Sequence, residues 1–157
     1  MNPEILKELS VNPVYLTGID NYINDITNSE NAVSVHIRRG DYITDKEANS
    51  LMGVMPISYY NAAMEIINKK ISKPEFYFFS DDLNWVKENF KGDNYHYIDS
   101  GKDYTDLHLM QICKHNIIAN SSFSWWGAFL NKNLNKIVIA PKNWVSNPEI
   151  NKKIEIT

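Results

Sequence analysis

Three short stretches concentrate side chains able to do chemistry on an anionic ligand: "HIRRGDY" (36–42), "SDD" (80–82) and "ANSSFSWW" (119–126). Arg38 and Arg39 follow an apolar, β-branched run, Ala32 to Val35. Neighbours on a strand point to opposite faces, so one arginine is placed to face a ligand while the other braces the scaffold. The planar guanidinium fork binds phosphate oxygens in pairs. Asp41 is a candidate structural partner for Arg39. In "NSS", a strand that stops and turns into a helix leaves free backbone N–H groups, and the hydroxyls of Ser121 and Ser122 add donors. Capping is the commoner use of residues such as Asn120 or Ser121, but two serines exceed what a cap needs. Asp81 and Asp82 suit acid/base work and equally suit the first turn of a helix, where the dipole favours acids.

Other chemistries find little support. His36, His96, His108 and His115 show no metal-ligand spacing, and no metal is expected. A lone histidine is more often structural. The one cysteine, Cys113, excludes an internal disulfide and a cysteine cluster, and its apolar setting predicts a buried free thiol. Neither G-x-G-x-x-G nor a P-loop is present, and nothing resembles a Ser/His/Asp or Cys/His nucleophile system. Trp125 and Trp126 are expected in the core.

These residues need a scaffold, and the hydrophobic pattern supplies one. Helices are expected over residues 3–10, opened by Asn2 and Pro3, and about 18–28; a strand over Ala32 to Ile37; and a polar loop over 40–56. Further helices are expected over Ile57 to Ile71, Ser80 to Phe90, Asp103 to His115 and Asn120 to Asn131. Further strands are expected over Glu75 to Phe79, Tyr95 to Ile98, Asn116 to Ala119 and Lys136 to Ala140. Strands alternating with helices predict an α/β fold, a parallel sheet with helices on both faces. Ligands of such sheets sit beyond the carboxyl ends of the strands, where the arginines, Ser80 to Asp82, Asn120 to Ser122 and Pro141 to Asn143 all fall.

Composition narrows the partners. The 157 residues suit one domain, and 43% hydrophobic with 22% charged residues is ordinary for a globular chain. A net charge of −3 argues against a nucleic-acid binder, which needs a broad positive field. No apolar run approaches a membrane span, and the polar start does not read as a signal peptide. A cytoplasmic location is the expectation, with a peripheral place at the inner membrane face as the alternative.

"HIRRGDY", "FYFFSDDLNWVKENF", "DLHLMQICKHNIIANSSFSWWGAFLN" and the ending "KIVIAPKNW" together resemble the motifs of bacterial and animal α-1,2-fucosyltransferases, glycosyltransferase family 11, in order from about residue 32 to 144. The resemblance implies the C-terminal, Rossmann-like, donor-binding half of a GT-B-type enzyme: one GDP-fucose-binding domain over 1–157, with a helical lead-in over 1–30. It implies inverting transfer of L-fucose from GDP-fucose to a galactose-containing glycan. More distant fucosyltransferases share the H-x-R-R element and an acid followed by a serine pair. By that likeness Arg38 holds the β-phosphate, Asp106 reads the guanine or ribose, and Ser122, sixteen positions on, contacts phosphate. His36 lies by the nucleoside and Arg39 supports. Asn120 and Ser121 complete the expected donor set, and Arg38, Asp81 and Asp82 the expected catalytic set, with Asp41 a further base candidate. Family members are nearly twice this length, so the acceptor-binding half is expected to be absent or vestigial. A non-catalytic GDP-sugar-binding module or truncated remnant is the alternative. The partners expected are then a missing N-terminal half or a second copy.

Overall fold

The computed structural model describes Glu8 and residues 11–154. The helix expected over residues 3–10 lies outside these, but for Glu8. In chain order the elements are α1 (Asp20–Asn28), β1 (Ala32–Ile37), α2 (Gly40–Thr44), α3 (Lys46–Met52), α4 (Ile57–Lys70), β2 (Glu75–Ser80), α5 (Leu83–Asn89), β3 (Tyr95–Tyr97), α6 (Asp103–Ile112), β4 (His115–Ile117), α7 (Ser122–Leu130), β5 (Val138–Ile139) and α8 (Pro148–Asn151). The five strands form one sheet in the order β3-β2-β1-β4-β5, every pairing parallel. The order reverses between β1 and β4, which opens a crevice at their carboxyl ends, the usual ligand position in this fold.

β1 is buried along all six residues, as a central strand covered on both faces must be. Its alternation divides the core. Val33, Val35 and Ile37 join Phe76 and Phe78 beneath Tyr60, Ala63, Met64 and Ile67 of α4 and Val86 of α5. On the other face Ala32, Tyr77 and Phe79 pack beneath Ile26 of α1 and Leu109 and Met110 of α6, with Cys113 a buried free thiol. That second face also holds a polar network. Asn116 Nδ2 donates to Ser34 Oγ at 2.7 Å and to Met110 O at 2.9 Å, and Asn131 Nδ2 donates to Asn116 Oδ1 at 2.8 Å and to Cys113 O at 2.7 Å.

Several boundaries differ from the sequence reading. The polar loop of 40–56 contains α2 and α3; the Asp45 carboxylate caps α3 by accepting from Glu47 N at 2.8 Å and Ala48 N at 3.2 Å. α6 stops at Ile112, so His115 opens β4 instead of closing a helix. The last strand shrinks to Val138–Ile139. Lys136 Nζ instead donates to the end of α7, at Ala128 O (2.8 Å) and Asn131 O (2.7 Å), and Ile137 N donates to the His115 ring at 3.0 Å. Trp125 and Trp126 are only partly buried and belong to neither core cluster.

Candidate functional site

A pocket of about 340 Å³ opens at the crevice between β1 and β4. Its walls include His36, Arg38, Asp41, Tyr42, Ser80, Asp81, Asp103, Asp106, Ser121, Ser122, Phe123 and Trp144. Each wall follows from an element end. β1 delivers His36 and Arg38, β2 delivers Ser80 and Asp81, the first turn of α6 delivers Asp103 and Asp106, and the β4–α7 turn delivers the serines.

The two arginines have separate surroundings. Arg38 reaches Asp41 Oδ1 with Nε (3.0 Å) and Nη2 (2.8 Å), and Asp81 Oδ2 with Nη1 (3.2 Å). Arg39 turns away from the pocket: Nε donates to Asp82 Oδ2 at 3.0 Å and its guanidinium lies 3.6 Å over the Trp85 ring. Asp41 therefore partners Arg38, whereas the sequence suggested Arg39. Asp82 is spent on structure, because its other oxygen accepts Trp85 N–H at the start of α5, and it does not line the pocket. Asp81 Oδ1 accepts Arg39 N–H at 2.9 Å. A Cβ at position 40 would lie 2.6 Å from Asp81 Oδ2, so a larger residue there would push that carboxylate aside from Arg38.

His36 is buried against Phe123, ring centroids 5.5 Å apart, and its Nδ1 has no partner among the described residues. Burial lowers its pKa to about 4, with Asp81 opposing and Arg38 adding to the shift, so the ring is neutral at pH 7. Asp106 accepts from Ser100 Oγ at 2.6 Å. Burial nevertheless raises its pKa to about 6, the Ser100 bond opposing and Asp103 and Asp99 adding. Ser121 occupies the N-cap of α7 without a side-chain capping bond, which leaves its hydroxyl and the first amides of the helix to the pocket.

Asn120 is placed differently from the serines. Its Nδ2 points at Met52 O (2.8 Å), Gly53 O (3.1 Å) and Trp144 O (3.2 Å), and its own carbonyl accepts Tyr42 O–H at 3.1 Å. It ties two loops to the end of β4 behind the pocket. Sequence reasoning missed Tyr42, Asp103, Phe123 and Trp144, whose signal was only proximity to chosen motifs, and Ser100, which had none. A larger groove, about 1340 Å³, lies at the opposite end of the sheet along Lys114, His115, Asn131 to Ile137 and His108. It gathers none of the candidate site residues and sits at the amino ends of the strands, away from the switch point.

The strand order, the crevice between β1 and β4, and the arginine, serines and free helix amides lining it define a Rossmann-like domain suited to a phosphorylated ligand. The chain matches the family described as Glycosyl transferase family 11 over residues 8–156, and it belongs to that family. It is 42% identical to the Escherichia coli O-antigen biosynthesis glycosyltransferase WbnK over 127 residues, 78% of this chain and 42% of the relative. It is 39% identical to an Escherichia coli alpha-1,2-colitosyltransferase, across 82% of this chain and 46% of the relative. Mouse galactoside 2-alpha-L-fucosyltransferase Sec1 is 27% identical across 83% of this chain and 38% of its own length. The chain thus spans less than half the length of these relatives.

Proposed function

We propose that the pocket takes a GDP-linked 6-deoxy sugar, GDP-fucose foremost, and that the chain is the donor-binding half of a GT-B-type α-1,2-transferase acting on a galactose-containing glycan. The observation that carries the proposal is the meeting of Arg38, Ser121, Ser122, the neutral His36 and Asp106 around one pocket at the switch point. Breaking a sugar–phosphate bond leaves charge on the departing diphosphate, which Arg38 and the α7 amides stabilise without a metal ion being invoked. Asp106, as carboxylate, accepts paired N–H groups of guanine. Inverting transfer needs a base for the acceptor hydroxyl, and Asp81 and Asp41 are the acids on the pocket wall able to serve.

Four carboxyl side chains (Asp41, Asp81, Asp103, Asp106) line the pocket against one guanidinium, Arg38. A diphosphate must therefore draw Arg38 away from Asp41 and Asp81. Calorimetric titration with GDP and GDP-fucose tests the reading: both bind, Arg38→Ala weakens binding at least about tenfold, and Asp41→Asn tightens it a few-fold by freeing the arginine. Absence of binding by either nucleotide, or an Arg38→Ala chain that binds like the parent, refutes it. The colitosyltransferase relative favours a second reading of the sugar alone, colitose in place of fucose. Binding of GDP with no gain from the fucosyl group would favour that alternative.

A further inference from the structure

A helix on the surface of a globular domain normally turns polar residues to water. α7 does not. At about 100° per residue, Ser122, Trp125, Trp126 and Phe129 fall within one arc of about 100°, opposite the buried Ser124, Gly127 and Ala128. Ser122 is exposed and the three rings are partly so. The rings pack on one another, Trp125 on Phe129 at 4.8 Å and Trp126 edge-on to both, and none belongs to either core cluster. The helix carries no charged residue.

We propose that this aromatic face is a protein docking surface whose occupant is the portion of a family 11 transferase that this chain does not span. The chemistry favours protein. Trp and Phe without charge are what interface centres enrich, and a membrane-surface helix carries Lys or Arg. Length favours this occupant, since the chain covers only 42% and 46% of the bacterial relatives. Continuity favours it too: Ser122, on the same face, lines the donor pocket, so the Trp126 end of the face lies towards the pocket rim, where an acceptor must arrive, while Phe129 at the far end borders the groove at the amino ends of the strands. The inference rests on family membership and not on the identity of the donor.

Two measurements test it. In this chain, Trp126→Lys with Phe129→Lys leaves the far-UV spectrum intact and the melting temperature within about 3 °C, and sedimentation shows a monomer for parent and variant alike. A collapse of the fold would make the rings core, and a parent dimer dissolved by the substitutions would make a second copy the occupant; either overturns the proposal. In the intact Escherichia coli alpha-1,2-colitosyltransferase, a photo-crosslinking residue at the position aligned with Trp126 is expected to join its own unspanned portion. Crosslinks confined to the spanned portion, or none, overturn it.

Discussion

At the residue scale the pocket holds two titrating groups shifted so as to be uncharged under mildly acidic conditions, and each gives the fold its own pH signature. His36 has a folded pKa of about 4 against 6.5 for the free ring. Burial of the neutral ring stabilises fully above 6.5 and is lost as pH falls from 6.5 towards 4, by up to about 3 kcal/mol. Urea denaturation at pH 7.5 and 4.5 is expected to show that loss, and His36→Gln is expected to flatten it; an equal slope in the variant would assign the acid sensitivity elsewhere. Asp106 runs the other way. Its folded value of about 6 exceeds the usual 3.8, so its protonated form is favoured and stability falls as pH rises from 3.8 through 6. Asp106→Asn is therefore expected to stabilise the fold at pH 7.5, by about 1–2 kcal/mol after allowance for its partial exposure, and to leave stability at pH 3.5 unchanged. The same variant is expected to bind GDP more weakly, since a neutral amide presents one acceptor where guanine asks for two. A variant that is more stable and binds less tightly marks a residue kept for a ligand; one that gains on both counts would remove Asp106 from the donor set.

At the scale of elements, the buried amide network does the positioning. Asn131 closes α7 onto β4 and the end of α6, and Asn116 passes that contact to Ser34 in β1. The helix whose first turn lines the pocket is thus anchored at its far end to the central strand. Asn116→Leu is expected to cost about 2–4 kcal/mol in urea denaturation, because Met110 O and Ser34 Oγ lose their shared donor in a dry core. Hydrogen exchange along α7 should quicken ahead of the remaining helices; uniform quickening would mean that the network stabilises the fold without anchoring α7. This network was invisible in the sequence, since pairs such as Ser34 and Asn116 are 82 positions apart and leave no local pattern. What was legible followed local rules: the β-branched run of β1 has the expected bounds, Ala32–Ile37, and α4 ends one residue short of expectation. Local rules also misled. Trp125 and Trp126 are apolar, yet they face outward because Gly127 packs against Met110 and takes the core side of α7, where an added Cβ would lie 3.1 Å from Met110 Cβ. That the two arginines divide between a pocket and the scaffold was legible from alternation along a strand, whereas the choice of Asp41 or Asp82 as each arginine's partner depended on how β2 lies beside β1.

At the scale of the whole molecule the sheet has two unlike ends. The carboxyl ends of β1 and β4 meet at a pocket of about 340 Å³ with polar, converging walls; the amino ends face a broader groove of about 1340 Å³ near the wholly exposed Leu134. Size favours the groove as a ligand site, and chemistry favours the pocket, because only there do a strand switch, free helix amides and an exchangeable arginine coincide. A nucleotide that binds the folded chain alone stabilises it by about 2.7 kcal/mol at one hundred times its dissociation constant. For a chain of this size, GDP at that excess should raise the melting temperature by about 5–10 °C. Protection from hydrogen exchange should appear after β1, in the first turn of α6 and at the start of α7, with Asn133 to Ile137 unchanged. Leu134→Ser, altering the groove alone, should leave the thermal shift intact, while Arg38→Ala should remove most of it. Protection mapping to the groove, or a shift abolished by Leu134→Ser, would move the ligand to the opposite end of the sheet and leave the pocket at the β1–β4 crevice without its proposed occupant.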